Sequence, residues 1–271
     1  MWLAWRLMGE TRRAVADNIR AIFPDESQRT LERRGHAMFD AYARDVIDFI
    51  RALGASAAEQ QALFDYRAED VQLFSDLLAA GNGVILVTGH YGNWEVGSVF
   101  LRRIADLPLT IMVKAEPDAE VNRLRREIRE RLGVDTIEVR QSLDTALQIR
   151  RRLAGNQVIA MLMDRHLGRD RVEVEFLGRA AWFLKTPPLM GFMTGAPLLP
   201  CFIERISAGR FRIRPGVPIR VARDRPRDEA IAVAAQDFAD QLTARVRAHP
   251  EFWYHFYGYW NAQQRPSDPP A

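Results

Sequence analysis

The sequence is poor in cysteine and lysine and has no long apolar run. Its 271 residues include one cysteine, Cys201, and only two lysines, Lys114 and Lys185. A lone cysteine excludes an internal disulfide framework, argues against a zinc site built from thiolates, and fits a reducing compartment. No apolar stretch approaches the roughly 20 residues that cross a bilayer, so we expect no membrane-spanning segment.

Motifs of several common enzyme classes are also missing. There is no Gly-x-Ser-x-Gly elbow, which disfavours a serine esterase. Neither a glycine-rich loop ending in Lys-Ser/Thr nor a Gly-x-Gly-x-x-Gly turn follows an apolar run, which argues against nucleotide-driven chemistry. We therefore expect no nucleotide cofactor. A nucleic-acid partner is not expected either.

Arginine, in contrast, is abundant. It supplies nearly all of the 38 basic side chains, although the net charge is only +3. Guanidinium groups bind carboxylates and phosphates bidentately, so an arginine-rich surface suits anionic partners. A bias in codon usage explains the same abundance, and composition does not separate the two explanations.

Residues 1–80 have a helical pattern. In RTLERRGHAMFDAYARDVIDFIRAL, apolar side chains recur at helical spacing and charges occupy the other face. These apolar residues are Phe39, Tyr42, Val46 and Ile50. Pro24 and Asp25 break the chain before this helix, and Gly54 closes it.

From residue 81 the pattern changes to short apolar runs that alternate with amphipathic segments. Strands are expected at GVILVT, LTIMVK, DTIEV, QVIAMLM and PLLPCFIE, and helices at WEVGSVFLRRIA, VNRLRREIRERL and SLDTALQIRRRLA. Strands that are apolar throughout and separated by helices indicate a mainly parallel sheet covered on both faces. The predicted fold is α/β, with a mainly parallel central sheet flanked by helices in residues 81–262. Residues 1–80 form an N-terminal helical layer of the same domain, and residues 263–271 a disordered tail.

The segment GHYGNWEVG, residues 89–97, directly follows the first apolar run. Sites in open α/β sheets gather at the carboxyl ends of strands. The glycines permit a tight turn, and Asn93 can cap the helix that follows. Such a turn can bring His90 within hydrogen-bond reach of Glu95, which would leave one ring nitrogen to take a proton from a substrate hydroxyl. The alternative is a capped helix start with an incidental histidine.

The same segment carries a family resemblance. HYGNWE resembles the His-x4-Asp/Glu motif of the lysophospholipid acyltransferase superfamily, and its interior is most similar to the lipid A biosynthesis late acyltransferase (lauroyl/myristoyl acyltransferase) family. Four further segments are similar to that family in the same order: ADNIRAIFPDES, EVNRLRREIRERLGV, VIAMLMDRHLGRDRVEVEFLGRAAWFLKTPPLMGFMTGAPLLPCF and HPEFWYHFYGYW. The resemblance covers roughly residues 15–262. Arg165 and the ending of the aromatic tail depart from the family pattern, which affects acceptor recognition more than the chemistry.

The resemblance implies a glycerolipid acyltransferase-like fold and an acyltransferase of class EC 2.3.1. It implies that His90 is the general base and Glu95 its partner. The candidate substrate-binding residues are Arg129, Arg126, Asp164 and Asn93, with Arg125 a rival for the site arginine. From the residues alone, Asp164 either orients Arg129 or caps the next turn.

The implied reaction moves a fatty acyl chain from an acyl thioester, acyl carrier protein or acyl-CoA, to a hydroxyl of a membrane glycolipid such as a lipid A precursor, or of a lysophospholipid. No metal or bound cofactor is needed. Acyl carrier proteins are acidic, so a basic surface fits that donor. The implied location is peripheral, on the cytoplasmic face of the inner (plasma) membrane.

Two other functions fit the sequence. A metal-dependent hydrolase would use His90, Glu95, Asp164 and His166 as ligands for zinc or manganese. A catalytically silent protein would instead bind anionic membrane surfaces through its arginines.

The aromatic segments near the two ends of the sequence can contact a membrane or pack in the core, and three further histidines lie outside the motifs. The tail EFWYHFYGYW either rests at a membrane interface or packs back on the sheet, and we expect packing for it and membrane contact for MWLAWRLM. His36, His249 and His255 have no acidic partner at useful spacing and are expected to be structural.

Overall fold

The protein is described by a computed structural model that covers residues 8–114, 118–139 and 143–263. Its helices are α1 (Gly9–Ile22), α2 (Gln28–Gly54), α3 (Ala57–Ala62), α4 (Ala68–Leu78), α5 (Trp94–Val99, continued by a π-helical turn Phe100–Ile104), α6 (Ala119–Leu132), α7 (Leu143–Ala154), α8 (Thr186–Thr194), α9 (Arg227–Ala248) and α10 (Tyr259–Gln263). Its strands are β1 (Phe64–Asp65), β2 (Val84–Thr88), β3 (Leu109–Val113), β4 (Asp135–Glu138), β5 (Val158–Leu162), β6 (Val172–Phe176), β7 (Arg179–Phe183), β8 (Leu198–Ser207) and β9 (Arg210–Pro215). Except for Met8, the predicted membrane contact MWLAWRLM lies outside the described residues, as does the predicted tail beyond Gln263.

Seven strands form one sheet in the order β1-β9-β8-β2-β5-β3-β4. The five strands from β8 to β4 are parallel to one another, β9 returns antiparallel to β8, and β1 lies parallel to β9. β6 and β7 form a separate antiparallel hairpin. This mainly parallel sheet with flanking helices confirms the predicted fold class.

The central strands are apolar throughout because both faces of the sheet are covered. Along β2, Ile85 and Val87 belong to one hydrophobic cluster, whereas Val84 and Leu86 belong to a second one. Side chains alternate between the two faces of a strand, so the two clusters occupy opposite faces of the sheet. The sheet therefore holds the ends of β2 and β5, where the candidate residues follow, in a fixed arrangement.

Helix α2 begins at the Ser27 cap, whose side chain accepts a hydrogen bond from the Thr30 backbone N–H. An amphipathic helix normally turns its apolar face inward. Here Phe39 is buried, but Val46 is 42% and Ile50 63% exposed. The helix also buries the carboxylates of Asp45 and Asp48, and both pair with Arg205 of β8.

The C-terminal segment returns to the carboxyl edge of the sheet. Backbone hydrogen bonds join the Gly92 N–H to the Phe252 carbonyl (2.8 Å) and the Tyr254 N–H to the His90 carbonyl (2.7 Å). From α1, Asn18 donates to the carbonyls of His255 (3.1 Å) and Tyr257 (2.7 Å). The prediction that the aromatic tail packs back on the sheet is confirmed, because its members are largely buried there.

Candidate active site

His90 lies in a tight turn two residues past the end of β2. Gly92 has φ +65°, and a Cβ on it would lie 2.1 Å from the Ile203 carbonyl oxygen, so only glycine fits here. The Asn93 N–H donates to the same carbonyl at 2.9 Å. This close approach to β8 fixes the turn that presents the His90 ring.

Asn93 caps α5, as predicted. Its side-chain oxygen accepts from the Val96 N–H (3.1 Å), and its amide nitrogen donates to the Asp45 carbonyl in α2 (2.9 Å). Both polar atoms of this buried side chain are thus used within the protein. The cap places Glu95 in the first turn of α5, also as predicted.

The carboxylate bound to His90 is that of Asp164, not that of Glu95. Asp164 Oδ1 lies 2.6 Å from His90 Nδ1, and Asp164 Oδ2 accepts the His90 backbone N–H at 2.9 Å. Asp164 follows β5, the neighbour of β2 in the sheet, so the two chain segments leave the same edge side by side. The predicted His90–Glu95 hydrogen bond is wrong, because the register of β2 and β5 brings Asp164 to the ring nitrogen that was assigned to Glu95.

Asp164 also binds three side chains of the C-terminal segment, two through its carboxylate and one through its backbone carbonyl. Its Oδ2 accepts from Trp253 Nε1 at 3.3 Å and lies 2.9 Å from His255 Nε2, and its own carbonyl accepts from the Tyr259 hydroxyl at 2.7 Å. Asp164 and His255 are both completely buried. The carboxylate is therefore held from several sides, and its orientation toward His90 is set by residues far away in the sequence.

Burial and charge determine the protonation of this cluster. Burial tends to raise the pKa of Asp164, but the two histidines bound to it outweigh that effect and hold this pKa well below its usual value. Burial, and then the charge of Arg165, lower the pKa of His90 although Asp164 opposes them. The same two causes lower the pKa of His255 to about 3. At neutral pH the cluster thus contains an ionised carboxylate and two neutral imidazoles.

This charge state fixes the tautomer of His90. An ionised carboxylate only accepts hydrogen bonds, so His90 Nδ1 carries the proton and Nε2 has a free lone pair. The His90 side chain is 16% exposed, and its Nε2 has no hydrogen-bond partner among the residues that the structure describes. The ring is therefore a preoriented base whose accepting nitrogen faces away from the carboxylate.

A family model described as bacterial lipid A biosynthesis acyltransferase matches residues 1–261. The chain belongs to this family. The match confirms the resemblance that the sequence motifs indicated. The matched range includes the His90 turn, the segment around Asp164 and the aromatic tail.

Individual relatives in the family come from mycobacteria. The chain is 28% identical over 188 residues to the phosphatidylinositol mannoside acyltransferase of Mycobacterium tuberculosis, a match that covers 68% of this chain and 57% of the relative. It is 27% identical over 196 residues to the protein of the same name from Mycolicibacterium smegmatis, covering 71% and 62%. The chain thus spans about three-fifths of the length of the curated relatives that it matches.

None of the predicted site arginines binds the Asp164 carboxylate among the described residues of this family member. Asp164 binds His90, Trp253 and His255, so it neither orients Arg129 nor simply caps a turn. Helix α6 starts after the carboxyl end of β3 and leads to the start of β4, so Arg129 lies in the half of the helix farther from the edge that carries His90. Arg126 is exposed and Arg129 is half-buried. The assignment of both to substrate binding stays a prediction.

The predicted four-residue metal site is not assembled. The side chains that come together are those of His90, Asp164 and His255, whose ligand atoms all lie within 4.8 Å of one another. In the described part of the chain, Glu95 and His166 are outside this group, and His166 Nδ1 lies 3.3 Å from the Gly168 carbonyl. The hydrolase alternative therefore loses two of its four proposed ligands.

The sequence missed the role of His255. Its carboxylate partner, Asp164, lies 91 residues away in the chain, so local spacing does not reveal it. The prediction that His36 and His249 have no acidic partner is also wrong, because His36 lies 3.3 Å from Asp40 and His249 lies 3.4 Å from Glu251. The unusual density of aromatic residues around His255 was the only available signal that this segment is buried.

Proposed function

We propose that this protein transfers a fatty acyl chain from an acyl thioester to a hydroxyl of a membrane glycolipid. The observation that carries the proposal is the His90–Asp164 pair at the carboxyl edge of the sheet, with a neutral, oriented imidazole whose Nε2 is free to accept a proton. Family membership supports the acyl transfer, and the names of the mycobacterial relatives support a glycolipid acceptor.

The proposed reaction is a direct transfer. Nε2 of His90 takes the proton of the acceptor hydroxyl as its oxygen attacks the thioester carbonyl carbon. The carbon–sulfur bond of the resulting tetrahedral intermediate then breaks, and the leaving thiolate receives the proton from the imidazolium. Asp164 stabilises the imidazolium while it exists, as a carboxylate does in a catalytic triad. No acyl-enzyme forms.

The proposed donor is an acyl thioester, and the proposed acceptor is a phosphorylated lipid with a free hydroxyl. Acyl carrier protein is the preferred donor, because an arginine-rich surface attracts an acidic protein, and acyl-CoA is the alternative. A lipid A precursor, another phosphorylated glycolipid or a lysophospholipid can present the acceptor hydroxyl, with Arg126 or Arg129 on its phosphate. Glu95 and Asn93 remain predicted site residues. The proposed location is the cytoplasmic face of the inner membrane. Each helix among the described residues is too short or too polar to serve as a membrane span.

The test is an assay of the purified protein with a labelled acyl thioester and a membrane lipid extract. The expected result is one acylated glycolipid, identified by mass spectrometry, together with one free thiol per turnover. Treatment with a chelator should leave the rate unchanged, whereas a hydrolase that held a metal on His90, Asp164 and His255 would lose activity and release a fatty acid or another hydrolysis product.

Arg165 offers a test of the charge state of His90. Because the Arg165 guanidinium lowers the pKa of His90, removal of this charge should raise that pKa. In Arg165→Gln, the acid limb of the profile of kcat/KM against pH should move to higher pH, since kcat/KM reports the free enzyme. Arg165→Lys keeps the charge and serves as the matched control. Equal profiles for the two variants would contradict the assigned role.

His255 should make the protein sensitive to acid. Its folded pKa is about 3, whereas a histidine in an unfolded chain titrates near its ordinary value of 6.5. As the pH falls below the ordinary value, the unfolded state binds a proton that the folded state does not, and stability decreases by at most about 1.4 kcal/mol per pH unit. His255→Gln keeps a donor for Asp164 but does not titrate.

Urea unfolding between neutral and mildly acidic pH measures this contribution. The free energy of unfolding of the His255→Gln variant should fall less steeply with decreasing pH than that of the parent protein. His249→Gln, which replaces a half-exposed histidine of the same region, is the control and should follow the parent curve. Parallel curves for all three proteins would show that His255 is not held neutral.

A further inference from the structure

Between residues 42 and 50, helix α2 turns two carboxylates inward and four apolar side chains outward. Asp45 and Asp48 are only 5% and 7% exposed, and both pair with Arg205 of β8. On the opposite side, Ile47 is 48% and Ile50 63% exposed. The buried ion pairs hold the helix in this orientation, because release of either carboxylate would leave the Arg205 charge without one of its buried partners.

The outward side chains form a contiguous surface. We call the surface of Tyr42, Val46, Ile47 and Ile50 the α2 face. On a helix of 3.6 residues per turn, positions 42, 46 and 50 fall within about 80° of one another, and position 47 lies about 60° beyond position 50. A grouped apolar surface on a folded protein is typical of a protein-binding or membrane-binding site, whereas single exposed apolar residues are common on any protein.

Arginines border this face along one side. Arg44 and Arg51 lie on α2 next to the apolar stripe and are exposed. The Arg51 side chain is 77% accessible, and its Nη1 also lies 3.6 Å from Asp48 Oδ1. An apolar helix face bordered by arginines is the pattern of helices that lie in the interface of anionic membranes. A bilayer with anionic headgroups matches both parts of the surface, since it accepts the apolar side chains and attracts the guanidinium groups.

The α2 face is continuous with the candidate active site. The ring centroids of Tyr42 and Tyr254 lie 5.1 Å apart, and those of Tyr254 and Trp94 lie 6.1 Å apart. The ring centroids of Trp94 and His90 lie 5.5 Å apart. The Asp45 carbonyl also accepts the hydrogen bond from Asn93, two residues before Glu95. A row of aromatic rings thus leads from the outward face of α2 to the proposed base.

We propose that the α2 face docks on an anionic phospholipid bilayer and places the His90 end of the sheet at the membrane surface. The proposal rests on the proposed function in one respect: a lipid acceptor has to reach His90 from a membrane. It differs from the sequence-based expectation, which gave the membrane contact to the segment MWLAWRLM. The docking itself is a binding property that can be measured without turnover.

Vesicle co-sedimentation tests the docking directly. The probes are phosphatidylcholine vesicles with and without phosphatidylglycerol, and the measured quantity is the dissociation constant for each variant. Ile47→Gln/Ile50→Gln should weaken binding to the anionic vesicles by about tenfold or more, because two apolar side chains are lost from the membrane contact. Arg44→Gln/Arg51→Gln should weaken binding to the anionic vesicles and make it independent of phosphatidylglycerol.

A matched control separates a local effect from general surface polarity. Val217→Gln/Val233→Gln replaces two apolar residues that are 71% and 44% exposed on other parts of the chain, and it should bind as the parent protein does. Unchanged binding of Ile47→Gln/Ile50→Gln would overturn the proposal, whatever other segment then carried the contact. A self-association that this variant abolishes, without vesicle binding by the parent, would also overturn it and would assign the face to a second copy of the chain.

An activity readout keeps this proposal distinct from the proposed function. Transfer to an acceptor dispersed in detergent should be the same for Ile47→Gln/Ile50→Gln and the parent protein, whereas transfer to an acceptor in vesicles should fall with binding. If the parent protein binds vesicles through the α2 face but transfers no acyl chain in either assay, the docking is supported and the proposed function is refuted. If the parent protein transfers the acyl chain but vesicle binding does not depend on this face, the proposed function is supported and the docking is refuted.

Discussion

His90→Ala is expected to lower kcat for acyl transfer by about 10²–10⁴-fold, the range of a general base. Nε2 of this residue is the proposed proton acceptor, and alanine offers no replacement. The fold should survive, because the backbone N–H of residue 90 still donates to Asp164, and His255 and Trp253 hold the same carboxylate. Steady-state assays with an acyl thioester and thermal unfolding give the two quantities required.

His249→Ala is the matched control for this substitution. His249 lies at the end of α9, is half-exposed, and pairs with Glu251 rather than with the Asp164 cluster. It should keep parental activity. A folded His90→Ala protein with parental activity would refute the role of His90 and with it the proposed mechanism.

The central sheet could be predicted because its strands are buried on both faces. GVILVT and QVIAMLM correspond to β2 (Val84–Thr88) and β5 (Val158–Leu162) with boundaries within about a residue or two. Such runs have no polar alternation and are short, which separates them from amphipathic helices. The predicted alternation of strands and helices is therefore confirmed from β2 to β5, whereas β6–β7 and β8–β9 are hairpins without an intervening helix.

Elements with one exposed face are harder to predict from the sequence. In β6 (Val172–Phe176), buried and exposed positions alternate, and the β6–β7 hairpin lies outside the main sheet. Its polar side chains interrupt the apolar runs from which the strands were predicted. For α2, helical spacing predicted the helix but not which face turns inward, because the partner that buries Asp45 and Asp48 is Arg205, about 160 residues later.

The candidate site could be predicted only where it is local. The His90 turn and the Asn93 cap follow from a few adjacent residues, and both are present as expected. The partner of His90 depends on which strand lies next to β2, and sequence spacing does not contain the strand order. His255 depends on the return of the C-terminal segment to that same edge. The chemistry at the strand end was therefore predictable, but the set of residues that orient it was not.

The second large effect is expected for Asp164→Asn, which should lower kcat by about 10³–10⁴-fold. Loss of the corresponding carboxylate in a serine-protease triad has an effect of that size, because an amide favours the wrong histidine tautomer. The introduced amide has a single oxygen, which could accept from His90 Nδ1 or from His255 Nε2, and its NH₂ group would then face the other donor. Asp164→Ala should in addition destabilise the fold, by about 1–3 kcal/mol for each buried donor that loses its partner, since three side chains share this carboxylate.

A spectroscopic signature decides which carboxylate orients His90. The 2.6 Å hydrogen bond from His90 Nδ1 to Asp164 should give a proton resonance at low field in the NMR spectrum of the parent protein. Asp164→Asn should remove this resonance, and Glu95→Gln should leave it in place, even if Glu95 affects turnover through the substrate. Loss of the resonance in Glu95→Gln and its persistence in Asp164→Asn would restore the pairing predicted from the motif. Glu95 lies in α5 and Asp164 follows β5, so the two substitutions act at separate places in the fold and should have different effects on the resonance. The comparison therefore identifies the group that stabilises the imidazolium.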